Sequence, residues 1–531
     1  MRKFEKFSRR VAAVLVGVLI WALMPLSTAI AVTYVPITGT GSTWSQNALD
    51  QWRKNVQANY GMTVNYSGVG SSAGRRDYIA GTVDFAVSEI PFQTQPEDGS
   101  TPEVPPRGFA YMPIVAGGTS FMYNLKIGGK RVTNLRLSGD NITKIFTGKI
   151  TNWNDKALAA DNPGLTLPDK TIVPVVRSDG SGTTAQFTLW MSKQYSSLWN
   201  TFCKAVGKST PCGLTSQFPS YKGFKYQSGS NGVAGYVSQD YGEGAITYVE
   251  YSYAVKAGFP VVKVLNNAGY YVEPTAKAVA VALLKAKINT DTKSTSYLTQ
   301  ILDGVYNNSD PRAYPISSYS YMIVPTEVGG VFTKAKGATL GTFANYMLCE
   351  GQQQADRLGY SPLPMNLVIA GFDQIARIPG ADAAASANLD KCNNPTFKPG
   401  ESPSKNQLAA TAPMPPACDK QGTTQCSASG TATGGTSDGS SGTGAGTGIT
   451  DGAGTGTGTI DGTGTGTGGT AAGGQLVATS VDAYPYKLRD VGWGRNQTMM
   501  LVAGILVLLV ILVPPYAFNA LNKSKKAKGS R

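Results

Sequence analysis

The chain has 531 residues, 15% of them charged, a formal charge of +14 and no histidine at all. Without imidazole, Ser-His-Asp and Cys-His nucleophiles, histidine-ligated metals and histidine acid–base chemistry are excluded, so a binding role is expected rather than an enzyme. Nine of the net positive charges belong to the first ten residues and the last nine; what lies between is mildly basic, without the arginine-rich stripe of a nucleic-acid binder.

In chain order, MRKFEKFSRR and the apolar VAAVLVGVLIWALMPL precede STAIA, so residues 1–31 read as a signal peptide with Ala29 and Ala31 before the cut. TGTGSTWSQNALDQW (Thr38–Trp52) is a small polar turn running into a helix. The strand MTVNYSGV leads to GVGSSAGRRDYIAGT (Gly68–Thr82), a second such turn. VDFAVSEI is a further strand and carries Glu89. TIVPVVRS enters a third turn in VVRSDGSGTTAQFTLWMSK (Val175–Lys193), where Arg177 and Asp179 precede Gly180–Thr184. The strands GAITYVEY and YPISSYSYMIVP and the helices TAKAVAVALLKAKI and LGTFANYMLCEGQQQADRLG complete an alternation expected of α/β domains. Residues 33–395, about 360 in all, suffice for two of them.

Helix N-termini present free N–H groups and the positive end of the dipole, so three such turns favour an anion. None fits a nucleotide fingerprint, and each alone is more readily a helix cap. Residues 396–426 are proline-rich and read as an irregular stalk. Residues 427–475 are almost entirely Gly, Thr, Ala and Ser and read as a flexible linker, spanning roughly 35–42 Å. Residues 498–518 carry no charge and are long enough to cross about 30 Å of hydrocarbon, with the basic residues 519–531 then cytoplasmic. The expected protein is exported and held at the cell surface by this helix. Six cysteines in such a chain read as bridges. Sequence proximity favours Cys203–Cys212 and Cys418–Cys426, leaving Cys349 with Cys392, one preference among the many pairings that six allow.

GTGSTW, NYSGVGSSAG, VDFAVSEIPF and VRSDGSGTT, in this order and spacing, resemble the phosphate-binding protein of high-affinity phosphate ABC importers, over about residues 36–370. The resemblance implies a two-lobed periplasmic-binding-protein-like fold (type II). Lobe I would be 33–113 plus 315–395 and lobe II 114–314, with crossings near Tyr111–Met122 and Ala313–Ser317. It implies inorganic phosphate as ligand, ABC permease subunits as partners and no cofactor or metal. The implied ligands are Thr43, the backbone of Trp44, Ser71, Arg177, Ser181, Gly182 and Thr183, with Asp179 steadying Arg177. Trp44 is expected to narrow the cleft mouth.

Glu89 stands where the family usually has an aspartate. Its charge is opposite to what an anion site needs, until protons are counted. Monohydrogen phosphate can donate one O–H to an ionised carboxylate, whereas sulfate has none and would leave the acid buried and repelled. A phosphate-ester hydrolase and a tethered surface adhesin are the competing classes. The first needs a nucleophile with a base, or metals, that the sequence does not offer; the second rests on the linker and the anchor.

Overall fold

A computed structural model describes residues 34–96, 101–291, 293–294, 296–382 and 388–426, together with Ala503. The first half of the fold repeats a strand–turn–helix unit. Strand β1 (Ile37–Gly41) feeds α1 (Gln46–Tyr60), whose buried face is Ala48, Leu49, Trp52 and Val56. The helix stops at Gly61, in the left-handed conformation at φ 65°, where the Gly61 and Met62 N–H groups return to Gln57 and Val56 carbonyls. Strand β2 (Val64–Gly68) feeds α2 (Ser71–Ile79), and β3 (Phe85–Ser88) follows, buried on both faces as parallel strands are.

Strand β4 (Phe109–Tyr123) is 15 residues long and almost wholly buried. Its sequence, FAYMPIVAGGTSFMY, carries a proline and two glycines, yet the strand is continuous. Pro113 lies at a β-bulge, where the ladder does not need its missing N–H. Gly117 and Gly118 lie where a Cβ would sit 2.8 Å from the Trp44 ring and 2.6 Å from Pro274 Cβ. The second half follows: β5 (Val173–Arg177), α3 (Gly182–Gln194), β6 (Lys225–Gln227), α4 (Gly229–Ser238), β7 (Ala245–Glu250), α5 (Tyr251–Ala257) and α6 (Ala276–Leu283). The chain then returns through β8 (Ser317–Pro325), α7 (Lys334–Leu348) and α8 (Met365–Ile375).

These strands form one sheet in the order β2-β1-β3-β8-β4-β7-β5-β6. Strand β4 is the seam. Residues Phe109–Gly118 pair antiparallel with β8, and Thr119–Tyr123 pair antiparallel with β7. It therefore leaves one lobe and enters the other at Gly118–Thr119, beside the start of β8 at Ser317. One buried apolar cluster runs through both lobes, with Trp52, Phe343 and Leu348 on the side of the first and Phe121, Phe146, Phe187 and Tyr248 on the side of the second, where the Phe187 and Tyr248 rings are 4.9 Å apart.

The bridges are Cys203–Cys212, Cys349–Cys392 and Cys418–Cys426. The segment read as a stalk does not stand off. Thr396, Phe397, Asn406, Ala409, Asp419 and Cys426 are buried, and the segment packs on the rest of the protein through polar side chains and through scattered apolar ones, Phe397 and Ala409 among them. Apolar periodicity, the signal sought in the sequence, is not what holds it. No helix among the described residues is long and apolar enough to cross a membrane. The expected span 498–518 lies outside those residues except for Ala503, as do 1–31, 427–475 and 519–531.

Glu250 ends β7 and caps α5, its Oε2 accepting the Ser252 N–H at 2.8 Å. Burial pushes its pKa well above the usual carboxylate range, against the opposing pull of Ser252 and Tyr360 hydroxyls and the nearby backbone. A folded-state pKa raised in this way gives stability that is full below the ordinary glutamate value and lost as pH rises through the raised one. Glu250→Gln is thus expected to raise the melting temperature at pH 8 but not at pH 4, at about 2 °C per kcal/mol. Equal effects at both values in thermal melts would remove this assignment.

Candidate anion-binding cleft

Four helix N-termini meet at the carboxyl ends of four strands, two from each lobe. After β1 comes Ser42–Ser45, leading into α1; after β2 comes Gly70, at φ 94°, leading into α2. After β5 comes Ser181, whose Oγ accepts the Thr184 N–H at 3.1 Å; after β6 comes Gly229, at φ 69°. Ligands gather at such strand ends in α/β sheets. The fourth turn was missed in the sequence, although QSGSNG follows a strand and opens a helix exactly as its counterparts do, with the same small polar residues.

Arg177 is the charge at the centre. Its guanidinium is 2% exposed; Nε donates to Asp179 Oδ1 at 2.7 Å and Nη2 donates to Oδ2. Asp179 Oδ1 also accepts the Gly229 N–H at 2.9 Å. Burial works against the Asp179 charge, but the hydrogen bonds and charge of Arg177 outweigh it and hold the carboxyl below its usual range. This is the fork-to-fork geometry that fixes a guanidinium plane. Ser230, absent from the sequence-based set, receives Nη1 at 3.4 Å and meets the Thr43 hydroxyl at 2.9 Å.

Glu89 is fully buried and lies in the same cluster. Oε2 accepts from Ser71 Oγ and Oε1 from Ser320 Oγ, both at 2.8 Å. Burial raises its pKa, opposed by the hydroxyls of Ser42, Ser320 and Ser71 and the charge of Arg177. The additional methylene relative to aspartate is accommodated by close approach to the facing lobe. A Cβ on Gly182 would lie 2.0 Å from Glu89 Oε2 and 2.7 Å from Ser71 Oγ, so any larger residue there would displace the carboxylate. Ser320 gave no sequence signal, since its reach depends on the register of β8 across the bulge.

The remaining expected residues fall into two groups. Ser71, Gly182 and Thr183 line the cluster: Gly182 N donates to Ser71 Oγ at 3.1 Å, and the Thr183 hydroxyl is buried without a hydrogen-bond partner among the described residues. Ser181 and Trp44 make contacts within their own turns. The Ser181 hydroxyl caps its own helix, and the Trp44 N–H donates to Ser42 Oγ at 2.9 Å. The expectation that Trp44 narrows the cleft mouth is corrected. Its ring is fully buried, edge-on to Tyr360 with centroids 5.7 Å apart and above Gly117 at the lobe seam, because a glycine there leaves room for an indole.

The lobes touch across the cleft. Ser72 N donates to the Gly180 carbonyl at 3.2 Å, Ser230 N to Thr43 Oγ1 at 3.1 Å and Gln186 Nε2 to the Glu89 carbonyl at 2.7 Å. The Tyr253 hydroxyl donates to the Thr43 carbonyl. One fixed cation, a ring of hydroxyls and one buried acceptor form a site suited to a small oxyanion that still owns a hydrogen. Among the described residues there is no group of three or more Asp, Glu or Cys side chains that could hold a metal ion.

A family model for the PBP superfamily domain matches residues 27–350. The phosphate-binding protein PstS of Xylella fastidiosa (strain Temecula1) is 34% identical over 336 residues, 63% of this chain and 83% of that protein. The PstS of Pasteurella multocida is 32% identical over 335 residues, 62% of this chain and 87% of that protein. Among solved structures, the phosphate-binding protein from Stenotrophomonas maltophilia aligns at a TM-score of 0.49 and 17% identity, over 67% of this chain and 98% of that one.

Proposed function

Since this chain belongs to the PBP superfamily and, within it, to the PstS phosphate-binding proteins, we propose that it captures inorganic phosphate outside the cytoplasm and delivers it to an ABC import permease. It is a binding protein and not an enzyme. The observation that carries the ligand assignment is the buried Glu89 carboxylate, held by two serine hydroxyls in the same cluster as the Arg177 guanidinium.

In this reading Arg177 supplies the charge, while Thr43, Ser71, Gly182 and Thr183 supply hydroxyl and amide donors. Asp179 and Ser230 hold the guanidinium in place, and Glu89 accepts the phosphate O–H. The Ser181 hydroxyl, which caps its helix as an acceptor and keeps its O–H to give, and the Trp44 backbone complete the set that the resemblance implies. Several charge-assisted bonds at about 1.5–3 kcal/mol each suffice for micromolar binding, about −8 kcal/mol, after ordering costs. The lobes follow the expected division, 33–113 with 315–395 and 114–314, except that the first boundary moves to the β4 crossing at Gly118–Thr119. Residues 1–31 direct export, 427–475 form the tether, 498–518 anchor it and 519–531 stay in the cytoplasm; their composition supports each of these roles.

Calorimetry with phosphate, arsenate and sulfate tests the ligand. Phosphate and arsenate should bind and sulfate should not; equal heats for all three would defeat the assignment. The raised pKa of Glu89 adds a pH dependence. As pH falls, Glu89 gains its proton earlier than an ordinary glutamate and turns from acceptor to donor, which suits sulfate. The phosphate-over-sulfate ratio should therefore narrow from pH 8 to pH 5 in competition titrations, with sulfate affinity rising. A flat ratio would show that Glu89 does not titrate beside the ligand.

A further inference from the structure

Residues 388–426 lie beyond the span matched by the family model and touch both lobes at once. At one end, Cys392 is bonded to Cys349 at the end of α7. Asn394 Nδ2 donates to the Leu348 and Leu363 carbonyls at 3.1 and 3.2 Å, and Thr396 Oγ1 donates to the Leu363 carbonyl at 2.8 Å. In the middle, the run crosses α6, where Lys277 Nζ donates to the Thr411 carbonyl at 3.3 Å, and beside it Arg312 Nη1 donates to the Ala409 carbonyl at 3.1 Å.

At the far end the contacts are with the other lobe. Asp419 is buried between Lys263, at 2.8 Å, and Arg136, at 3.7 Å. Arg136 also donates to the Cys418 and Thr423 carbonyls, at 2.5 and 3.1 Å. Gln425 Nε2 donates to Asn134 O at 2.8 Å and to Asn162 Oδ1 at 2.7 Å. The Cys418–Cys426 bridge closes the loop that makes these contacts.

We propose that residues 388–426 form a strap, a third connection between the lobes beside the β4 and β8 crossings, which restrains cleft opening and so prolongs the stay of the ligand. One end is covalently fixed and the other is pinned by buried ions, so rotating one lobe on the other must break one set of contacts or deform the run between them. The effect on ligand residence rests on the phosphate reading above; the effect on opening does not.

Hydrogen exchange on the full chain reads opening directly, because the Ser72, Gly182 and Ser230 amides bond across the cleft. Asp419→Ala, made to release the far end, should speed exchange at these three amides about tenfold while the β2 amides stay protected. Phosphate dissociation should quicken by a similar factor. Unchanged cross-cleft amides, in a variant whose Lys420 and Gln425 amides exchange freely, would overturn the strap. Should Asp419→Ala also loosen β2, a second perturbation decides: a protease site placed across the exposed residues 402–405 and cut after folding. Faster cross-cleft exchange in the cut molecule supports the strap, and equal exchange overturns it. If phosphate binds neither form, the ligand assignment fails while the exchange result still stands.

Discussion

Arg177→Ala is expected to weaken phosphate binding by about 10³-fold or more and to leave the fold intact. The guanidinium is the only full positive charge in the described ligand cluster. Asp179 takes hydrogen bonds from Nε and Nη2 and Ser230 takes one from Nη1, leaving the second hydrogens of Nη1 and Nη2 to face an anion. Removing it deletes the charge-assisted bonds, and it also leaves the Asp179 carboxylate, 15% exposed, facing the incoming dianion without its partner. Both effects have the same sign, which is why the loss should exceed that of any serine in the site. Calorimetry gives the affinity and far-ultraviolet circular dichroism the fold. Near-native affinity with native dichroism would show that the anion is held somewhere else.

Glu89→Gln is expected to lower the phosphate-over-sulfate ratio by at least about 10²-fold, since sites built around one buried hydrogen bond discriminate by as much as 10⁴–10⁵. The mechanism is a reversal at one oxygen position. The ionised carboxylate accepts from Ser71 and Ser320 and can accept from a protonated phosphate, but it repels an oxyanion with no hydrogen to give. An amide of nearly the same shape offers an N–H and carries no charge. Ser71 and Ser320 have rotatable hydroxyls and can turn to suit it, so the fold should tolerate the change. Sulfate affinity should rise more than phosphate affinity falls. If competition titrations give the same ratio for both proteins, another group makes the distinction.

Much of the site was legible because it is local. A strand, a glycine-rich polar turn and a helix start are consecutive in sequence, so the turns that hold Thr43, Ser71, Gly182 and Thr183 could be located without knowing how they meet, while the choice of those residues rested on the family resemblance. The same signal was present at Ser228–Gly232 and went unread, although it marks Ser230. Ser320 could not be found that way. It sits mid-strand in YPISSYSYMIVP, and only the cross-sheet register past the β4 bulge brings it to Glu89. Strand β4 itself was obscured by Pro113 and Gly117–Gly118, residues that usually end strands and here mark a bulge and a close approach. Trp44 was misplaced for a related reason: its room is made by a glycine 73 residues further along the chain. The strap was read as a stalk because much of its attachment is ionic and amide-based, through Arg136, Asp419 and Gln425, and its buried apolar residues, such as Phe397 and Ala409, are too few and too far apart to make a pattern.

One of the cross-cleft contacts runs from main chain to main chain, between the Ser72 N–H and the Gly180 carbonyl. No codon change can delete it without a proline, which would also place a pyrrolidine ring between the lobes. A saturation mutagenesis screen would therefore undercount the energy of closure by whatever this bond contributes. Replacing the residue 72 amide with an ester by chemical synthesis would remove the hydrogen atom alone, giving a molecule whose side chains are all native and whose lids meet with one fewer bond.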